Sequence, residues 1–330
     1  MSFILGMDTG GTYTDAVIID AKDRKVLCKA KALTTKDDLT TGIKNCLDQL
    51  EFDRLEEITL ISLSTTLATN AIVEGRGGRV ALLYMGADLE DAVPAAKSIH
   101  IRGAFDIMGR QKEALEEEEV KRVLESLKGK VDAVAISGYA SVRNPKHEQE
   151  AAKIAEDVLG IPVICAHHLS TALGFYHRTV TAVLNGRLIP IIDDLLVSTR
   201  KVLKEKGISG SIMVVKGDGT LMTEKLAGQR PVETILSGPA ASVIGGLALT
   251  GQKDGIVVDM GGTTTDIAEV SGGSVKIRRE GANVGGWLTR VQAAEISTFG
   301  IGGDSRICLD RHGEIRIGPE KVIPLCVAGV

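Results

Sequence analysis

Aromatic residues, cysteine pairs and long apolar runs are scarce or missing in this sequence of 330 residues. Aromatics make up only 3% of it, so its cores have to be built from valine, isoleucine, leucine and alanine. The five cysteines are scattered without a CxxC pair, which argues against a zinc knuckle or redox motif and favours reduced thiols in the cytoplasm. No apolar run approaches the ~18 residues of a membrane span. The first apolar stretch is short and has no basic lead, unlike a signal peptide.

The sequence also lacks a long basic run, and its net charge is only −4. This distribution does not favour nucleic acid as a partner. What is present is an ordinary globular composition, with 44% hydrophobic residues, 25% charged residues and 38 glycines. Such a composition is typical of α/β layers joined by tight turns, and the length suggests about two domains.

One octapeptide pattern occurs twice in the chain. The first copy, DTGGTYTD, spans residues 8–15, and the second, DMGGTTTD, spans residues 259–266, with six of eight positions identical. Each copy follows an apolar run and leads into another, so each half is expected to begin with a strand, a glycine turn and two further strands. Two matched copies predict a duplicated fold whose equivalent turns face each other across a cleft.

These turns have the chemistry of a phosphate site. Paired glycines permit backbone conformations that other residues avoid, and successive N–H groups in such a turn can bind an anion. No P-loop lysine is present, and each turn begins with an aspartate, Asp8 or Asp259. A carboxylate beside a triphosphate requires a bridging cation, so we predict Mg²⁺ at both aspartates. The predicted phosphate-binding residues are Gly10, Gly11, Thr12, Gly261, Gly262 and Thr263.

Asp15 and Asp266 close the two repeats. They either brace the hairpins by accepting N–H bonds from the turns or take a metal or catalytic role. The sequence leaves both roles open.

Longer stretches of the sequence resemble one known family. They are STTLATNAIVEGRGGRVALL at residues 64–83, RTVTAVLNGRLIPII at 178–192, KGDGTLMTEKLAGQRPVETILSGPAASVIGG at 216–246 and STFGIGGDSRI at 297–307. With the repeats, they resemble the hydantoinase A/oxoprolinase family, which has the actin, hexokinase and Hsp70 superfold.

The resemblance implies an α/β fold of duplicated ribonuclease H-like (actin-like ATPase) domains with an inserted α/β subdomain. We expect the first domain in residues 1–75 and 207–250, the inserted subdomain with long helices in 76–206, and the second domain in 251–330. In the family a longer region follows the last motif, so the second domain is expected to be incomplete.

Candidate substrate residues lie at predicted strand ends. A Thr/Asn-rich cluster follows a strand at its C-terminal end, the usual ligand edge of an open α/β sheet, and predicts contact with a polar ligand. His168 follows another strand end, in either a substrate cleft or a polar loop, and Arg178 is a candidate by resemblance alone. The substrate candidates are Thr65, Thr66, Thr69, Asn70, His168 and Arg178.

The spacing of the glycines after residue 299 is by itself only weak evidence for a nucleotide-binding loop. By resemblance this stretch is the nucleotide loop of the family and approaches the adenosine. Its candidate residues are Gly300, Gly302, Gly303 and Asp304.

The resemblance implies an enzyme that uses ATP and Mg²⁺ on a small cyclic amide or ketone. Transfer of the γ-phosphoryl group to the carbonyl oxygen would activate a poor electrophile such as 5-oxoproline, a hydantoin or a lactam, with Asp8 and Asp259 as the catalytic candidates. A hydrolytic partner subunit in the cytoplasm is implied as well. The alternatives are a ketone carboxylase subunit, a small-molecule kinase, a nucleotide-binding scaffold without chemistry and an actin-like filament protein.

Overall fold

The computed structural model describes residues 2–35, 37–262 and 264–323. The chain begins with strands and short helices. These are β1 (Phe3–Thr9), β2 (Tyr13–Asp20), β3 (Val26–Leu33), α1 (Leu39–Asp48), β4 (Ile58–Thr65) and α2 (Leu67–Val73). Helix α1 begins after Asp38, whose carboxylate accepts the N–H of Thr40 at 3.0 Å and so caps a free donor of the first turn.

A second group of elements follows. These are β5 (Val80–Met85), β6 (Lys97–His100), β7 (Ala104–Phe105), β8 (Gln111–Glu113), α3 (Glu117–Leu127), β9 (Ala133–Gly138), α4 (Lys146–Leu159), β10 (Val163–Cys165) and α5 (Ala166–Leu169). Strands β10, β9, β5 and β6 form a parallel sheet in that order. Apolar runs at residues 80–84, 131–136 and 161–165 predict three of these strands, β5, β9 and β10. No such run predicts the fourth strand, β6, because β6 is short and largely exposed.

One helix of 31 residues, α6 (Phe175–Glu205), replaces the several long helices that we expected here. It contains Pro190 and is buried along much of its length. Its Ala182 and Val183 pack on the parallel sheet, whereas Val180 and Leu184 belong to the core of the other large sheet. The helix therefore ties the two sheets together.

The chain then returns to the first sheet through β11 (Ser211–Val215), β12 (Leu221–Thr223), α7 (Glu224–Gln229), a 3₁₀ turn at Pro231–Thr234 and α8 (Ser237–Thr250). The first sheet has the order β12-β11-β4-β1-β2-β3. Strands β1, β4 and β11 run parallel, so their C-terminal ends meet at one edge. Residues from 1–75 and 207–250 thus share one sheet, while the domain boundaries themselves stay a prediction.

The last part of the chain consists of short strands. These are β13 (Gly255–Met260), β14 (Thr265–Ser271), β15 (Ser274–Val275), β16 (Ile277–Arg278), β17 (Asn283–Val284), β18 (Trp287–Leu288), β19 (Ala293–Ala294), β20 (Ile296–Phe299), β21 (Ser305–Leu309) and β22 (Ile315–Lys321). Strand β14 pairs with β13 on one edge and with β15 and β20 on the other. The expected third strand is thus split, because β15 contributes two paired residues and β20 completes the edge. The chain is a mixed α/β protein, and no helix in its described parts is long and apolar enough to cross a bilayer.

Candidate nucleotide and metal site

The first repeat forms the tip of the β1–β2 hairpin. The N–H of Gly10 donates to the carbonyl of Tyr13 at 2.9 Å, and Asp8 lies opposite Asp15 in the strand register. The ammonium of Lys31, on neighbouring β3, donates to the Asp15 carboxylate at 2.7 Å. Asp15 therefore binds a side chain across the sheet.

The second repeat reproduces this geometry. The N–H of Gly261 donates to the carbonyl of Thr264 at 2.9 Å, and Asp259 lies opposite Asp266. The hydroxyl of Thr298, on β20, donates to the Asp266 carboxylate at 2.5 Å. In both hairpins the closing aspartate is held by a neighbouring strand and not by the N–H bonds of the turn that we had considered.

The glycines of the first turn permit close approach of neighbouring atoms, and the glycines of neither turn supply an unusual backbone. None of Gly10, Gly11, Gly261 and Gly262 has a left-handed φ, which corrects the expectation that they would need one. A Cβ on Gly10 would lie 3.0 Å from the carbonyl oxygen of Tyr13, and one on Gly11 would lie 3.0 Å from the amide nitrogen of Asn70. On Gly262 it would meet nothing within 4 Å. The second turn is therefore open to a ligand.

Asp8 is a carboxylate without a cationic partner. Burial raises its pKa above the usual aspartate range, as do the negative charges of Asp15 and Asp259, while the Ser64 hydroxyl opposes the shift by donating at 2.6 Å. In the described parts of the chain no lysine or arginine lies within ion-pair distance of Asp8 or Asp259. Asp259 is therefore one of the charged groups that act on Asp8, and its effect is smaller than that of burial.

The start of α8 lies beside Asp8. A Cβ on Gly238 would be 3.9 Å from Oδ1 of Asp8 and 3.0 Å from the methyl group of Thr66. Leu236, just before the helix, has a left-handed φ of 62°, which is uncommon for a residue with a side chain. Its N–H donates to the hydroxyl of Thr69 at 3.0 Å. This strained residue directs the helix start towards the first hairpin.

The carboxylates at these two turns are suitable ligands for Mg²⁺. Mg²⁺ prefers oxygen ligands and is usually held by one or two carboxylates, phosphate oxygens and several waters. Asp8 and Asp259 supply two carboxylates with no competing cation, and they do not belong to any closed cluster of three protein ligands in the described residues. This open arrangement leaves room for phosphate and water ligands.

The glycine-rich loop after β20 packs on the second hairpin. The N–H of Gly303 donates to the carbonyl of Gly261 at 3.0 Å, and that of Asp304 donates to the carbonyl of Gly262 at 2.7 Å. The ammonium of Lys321 lies 2.8 Å from the Asp304 carboxylate. Gly300 and Gly302 belong to the same loop. A ligand held at the second turn would therefore lie next to this loop.

Thr12 is exposed at the tip of the first hairpin, where a ligand could reach its hydroxyl. Its counterpart Thr263 lies outside the described residues.

The four candidate residues at the end of β4 and in α2 and its start have different environments. Thr65 is fully buried and donates its hydroxyl to the carbonyl of Thr9 at 2.8 Å, and Thr69 accepts the N–H bond from Leu236. The amide of Asn70 donates to the hydroxyl of Thr66 at 3.3 Å and lies over Gly11. Thr65 thus fastens β4 to β1, while Thr66 and Asn70 remain half-buried beside the first turn.

Arg178 and His168 form contacts with residues outside the two hairpin turns. Arg178 is 1% exposed, and its guanidinium donates to the carbonyls of Gly138 and Tyr139 at 3.1 and 2.9 Å. It therefore fastens α6 to the end of β9 from within the core. His168 borders a separate cavity of about 650 Å³ together with Asp193 and Arg230.

Sequence reasoning missed a buried cluster of Glu148, Cys165 and His167. The Glu148 carboxylate accepts the N–H of Gly138 at 2.7 Å and lies 2.5 Å from Nδ1 of His167. Burial raises the pKa of the Cys165 thiol to about 12, so the thiol is protonated at neutral pH. These are the side chains of an internal hydrogen-bond network, and their spacing in the sequence carries no signal of it.

Comparison with known proteins gives a consistent result. The model of the hydantoinase/oxoprolinase N-terminal region matches residues 4–159, and that of hydantoinase/oxoprolinase matches residues 178–323. Caprolactamase subunit alpha from Pseudomonas jessenii is 29% identical, over 96% of this chain and 50% of the relative. 5-oxoprolinase 1 from Arabidopsis thaliana is 26% identical, over 96% of this chain and 29% of the relative.

A solved structure resembles the whole described fold. The crystal structure of the ATP-dependent caprolactamase from Pseudomonas jessenii has a TM-score of 0.80 and 28% identity, over 96% of this chain and 51% of that chain. The chain thus spans half or less of the length of these relatives.

Proposed function

Because the chain belongs to the hydantoinase/oxoprolinase family, we propose that it is the ATP-using part of an enzyme that phosphorylates the carbonyl oxygen of a cyclic amide. The modification prepares the ring for hydrolytic opening. The similarity to the caprolactamase from Pseudomonas jessenii, which is ATP-dependent and is named for a lactam, supports this reaction class.

The observation that carries the proposal is the pair of matched hairpins with interacting aspartates. Asp8 and Asp259 begin equivalent turns, and the charge of Asp259 raises the pKa of Asp8. Two carboxylates without cations would repel each other and a triphosphate, and a Mg²⁺ ion held by these residues would neutralise that charge. The twin turns therefore support one shared Mg·ATP.

We assign each group of residues a role according to its position. Asp8 and Asp259 would hold the metal, and the two glycine turns with Thr12 and Thr263 would bind the phosphates through N–H and hydroxyl donors. The loop at Gly300–Asp304 lies on the adenosine side. Thr66 and Asn70, beside the first turn, face the substrate.

The chemistry follows from the weakness of an amide as an electrophile. The bond between the γ-phosphorus and ADP breaks as the amide oxygen takes the phosphoryl group. One water then attacks the activated carbon and expels the ring nitrogen as an amine, and a second water releases the phosphate. The chain's part is positioning and charge neutralisation, which dominate phosphoryl transfer.

We propose that a hydrolytic partner subunit completes the reaction in the cytoplasm. The name of the relative from Pseudomonas jessenii identifies it as one subunit of an assembly. The four cysteines in the described residues are scattered and unpaired, which fits a reducing compartment.

Calorimetric titration with Mg·ATP tests nucleotide binding first, and ATP turnover over a panel of cyclic amides with the partner then tests the chemistry. We expect Mg-dependent binding and a release of inorganic phosphate that requires both the cyclic amide and the partner. A stable phosphorylated product made without the partner would identify a kinase instead. Binding without any stimulated turnover in the complete assembly would identify a scaffold.

A further inference from the structure

A cavity of about 320 Å³ lies where the chain after α5, the end of β11 and the segment before β19 meet. We call it the basic cavity because four of its lining residues are cationic. Its charged lining consists of Lys216, Arg230, Glu233, Arg279 and Arg290.

The charges of the basic cavity are only partly balanced. Glu233 lies 3.0 Å from the ammonium of Lys216 and 3.1 Å from the guanidinium of Arg230, and Asp218 lies 3.3 Å from Lys216. Within residues 2–35, 37–262 and 264–323, neither Arg279 nor Arg290 has a carboxylate within ion-pair distance. Four cations thus face two carboxylates, and the remaining charge favours an anionic ligand.

Two guanidinium groups of the cavity have hydrogen-bond donors that no described residue accepts. Nε of Arg230 and Nε of Arg290 are buried and have no hydrogen-bond partner among the residues that the structure describes. Buried polar atoms without partners are rare in native proteins, and each requires a physical explanation such as a ligand or a water. A carboxylate is a suitable ligand because its two oxygens match the donor fork of a guanidinium.

The Arg290 side chain is held in place before any ligand arrives. Its Nη1 donates to the carbonyl of Glu280 at 3.0 Å. Its Nη2 packs against Gly174, where an added Cβ would lie only 2.3 Å away. The Nη2 of Arg230 is likewise bound to the carbonyl of His168. Binding an anion here would cost little side-chain ordering.

The basic cavity lies at the same sheet edge as the first hairpin. Val214 pairs with Leu63, and Leu63 pairs with Met7, so Lys216, two residues later, is level with Thr9. Two strand spacings separate Lys216 from Thr9, which is roughly 10 Å between backbones. Lysine and arginine side chains can bridge much of that distance towards a small molecule at the phosphate turn.

We propose that the basic cavity binds the carboxylate of the cyclic-amide substrate, so that this chain prefers a ring bearing a carboxylate to a neutral lactam. This rests on the proposed function for the identity of the reacting group. A neutral ring would leave the cationic lining without a counter-charge, so the cavity selects against it.

Two ligands that differ only by the carboxylate test the preference. The full chain, with Mg²⁺ and a non-hydrolysable ATP analogue, is titrated calorimetrically with 5-oxoproline and with 2-pyrrolidinone, the same ring without the carboxylate. We expect 5-oxoproline to bind at least about tenfold more tightly, the equivalent of about 1.4 kcal/mol. Equal affinities for the two rings would overturn the proposal.

Arg279 and Arg278 provide a matched pair of variants. Arg279 lines the cavity, whereas the neighbouring Arg278 lies 4.0 Å from Glu295 and does not line it. Arg279→Ala should weaken 5-oxoproline about tenfold and leave 2-pyrrolidinone unchanged, Arg279→Lys should recover part of the loss, and Arg278→Ala should change neither. Equal effects of Arg279→Ala and Arg278→Ala would contradict a specific site.

Bicarbonate distinguishes the substrate's carboxylate from a free anion. Bicarbonate binding that depends on Arg279, together with undetectable 5-oxoproline binding, would overturn the assignment in favour of a free-anion site. The nucleotide analogue is titrated separately with each variant. Loss of its binding would count against the proposed function, whereas intact nucleotide binding without ring discrimination would count against the basic cavity alone.

Discussion

At the scale of single residues, Asp8 is unusual because it is a carboxylate that is enclosed near the end of a strand. Its carboxylate is largely enclosed, it is hydrogen-bonded to Ser64, and the lysine whose charge acts on it, Lys31, is already paired with Asp15. Burial and two neighbouring negative charges raise its pKa. In the absence of a metal, the ionised form is therefore a destabilising element of the fold.

Asp8→Asn should stabilise the ligand-free protein at neutral pH. The pKa of Asp8 is higher in the folded protein than in the unfolded chain, so protonation of Asp8 stabilises the fold. This stabilisation is complete below the unfolded pKa of about 3.9, and it is lost as the pH rises through the folded pKa. Asparagine is neutral at every pH and keeps an oxygen for Ser64. We expect a free energy of unfolding higher by on the order of 1 kcal/mol at pH 7, with the difference vanishing on acidification.

Urea unfolding at several pH values, without Mg²⁺ or nucleotide, measures this difference. Asp53→Asn, at an exposed position, is the control and should leave the pH dependence unchanged. A variant Asp8→Asn that is less stable than the wild type at neutral pH would show that Asp8 contributes stability as an anion, contrary to the burial argument.

At the scale of elements, the two hairpins have the same register and different surroundings. The first is the centre of a six-stranded sheet and is flanked by α2 and the start of α8. The second belongs to a smaller sheet, and alternate residues of β13 on one face, Ile256, Val258 and Met260, are exposed. The same turn sequence is therefore more tightly packed in the first copy.

An alanine at the first glycine of each turn should reveal this difference. A Cβ on Gly10 would lie 3.0 Å from a backbone oxygen, whereas on Gly261 the nearest atom would be 3.6 Å away. We expect Gly10→Ala to lower the free energy of unfolding by about 1–3 kcal/mol and Gly261→Ala to change it by less than about 0.5 kcal/mol. The lost flexibility of the unfolded chain is the same in both variants and cancels in the comparison.

Chemical denaturation of both variants under identical conditions gives the two values. If Gly261→Ala proved as destabilising as Gly10→Ala, the second hairpin would have to be packed by structure beyond its present neighbours.

At the scale of the whole molecule, the proposal requires both hairpins to act on one ligand. A ligand that binds only the folded state raises its stability by RT ln(1 + [L]/Kd), about 2.7 kcal/mol at a concentration of 100 Kd. Mg·ATP should therefore raise the melting temperature, and ATP with a chelator should not.

Asp8→Asn and Asp259→Asn should each lower Mg·ATP affinity at least about tenfold, and the double variant should lose little more than either single variant. The reason is that either substitution removes the same metal bridge. Calorimetric titration of the wild type, the two single variants and the double variant with Mg·ATP gives the four affinities of this double-mutant cycle. If the losses of Mg·ATP affinity were fully additive, the two turns would bind separate ligands, which would contradict a single site formed by both turns.

Much of the geometry of the candidate site could be predicted from the sequence because it depends on local, repeated chemistry. Two copies of an Asp-x-Gly-Gly-Thr turn between apolar runs predict two hairpins and the aspartates that begin the turns, and the structure confirms both hairpins. The strand and helix assignments were correct where periodicity was long, as in α4, and missed short exposed elements such as β6. The unusual backbone expected of the glycines was wrong, and close packing explains only the first pair, Gly10 and Gly11.

The sequence by itself determined the family, the α/β class and the residues of the two turns, because each of these is set by residues close together in the chain. Tertiary structure alone decided which side chains are enclosed. It put Thr65 and Arg178 into internal hydrogen bonds and joined Glu148 to His167. It also brought the four cations of the basic cavity together from positions up to 74 residues apart, from Lys216 to Arg290. Burial and charge balance depend on packing between distant segments, and no local pattern in the sequence records them.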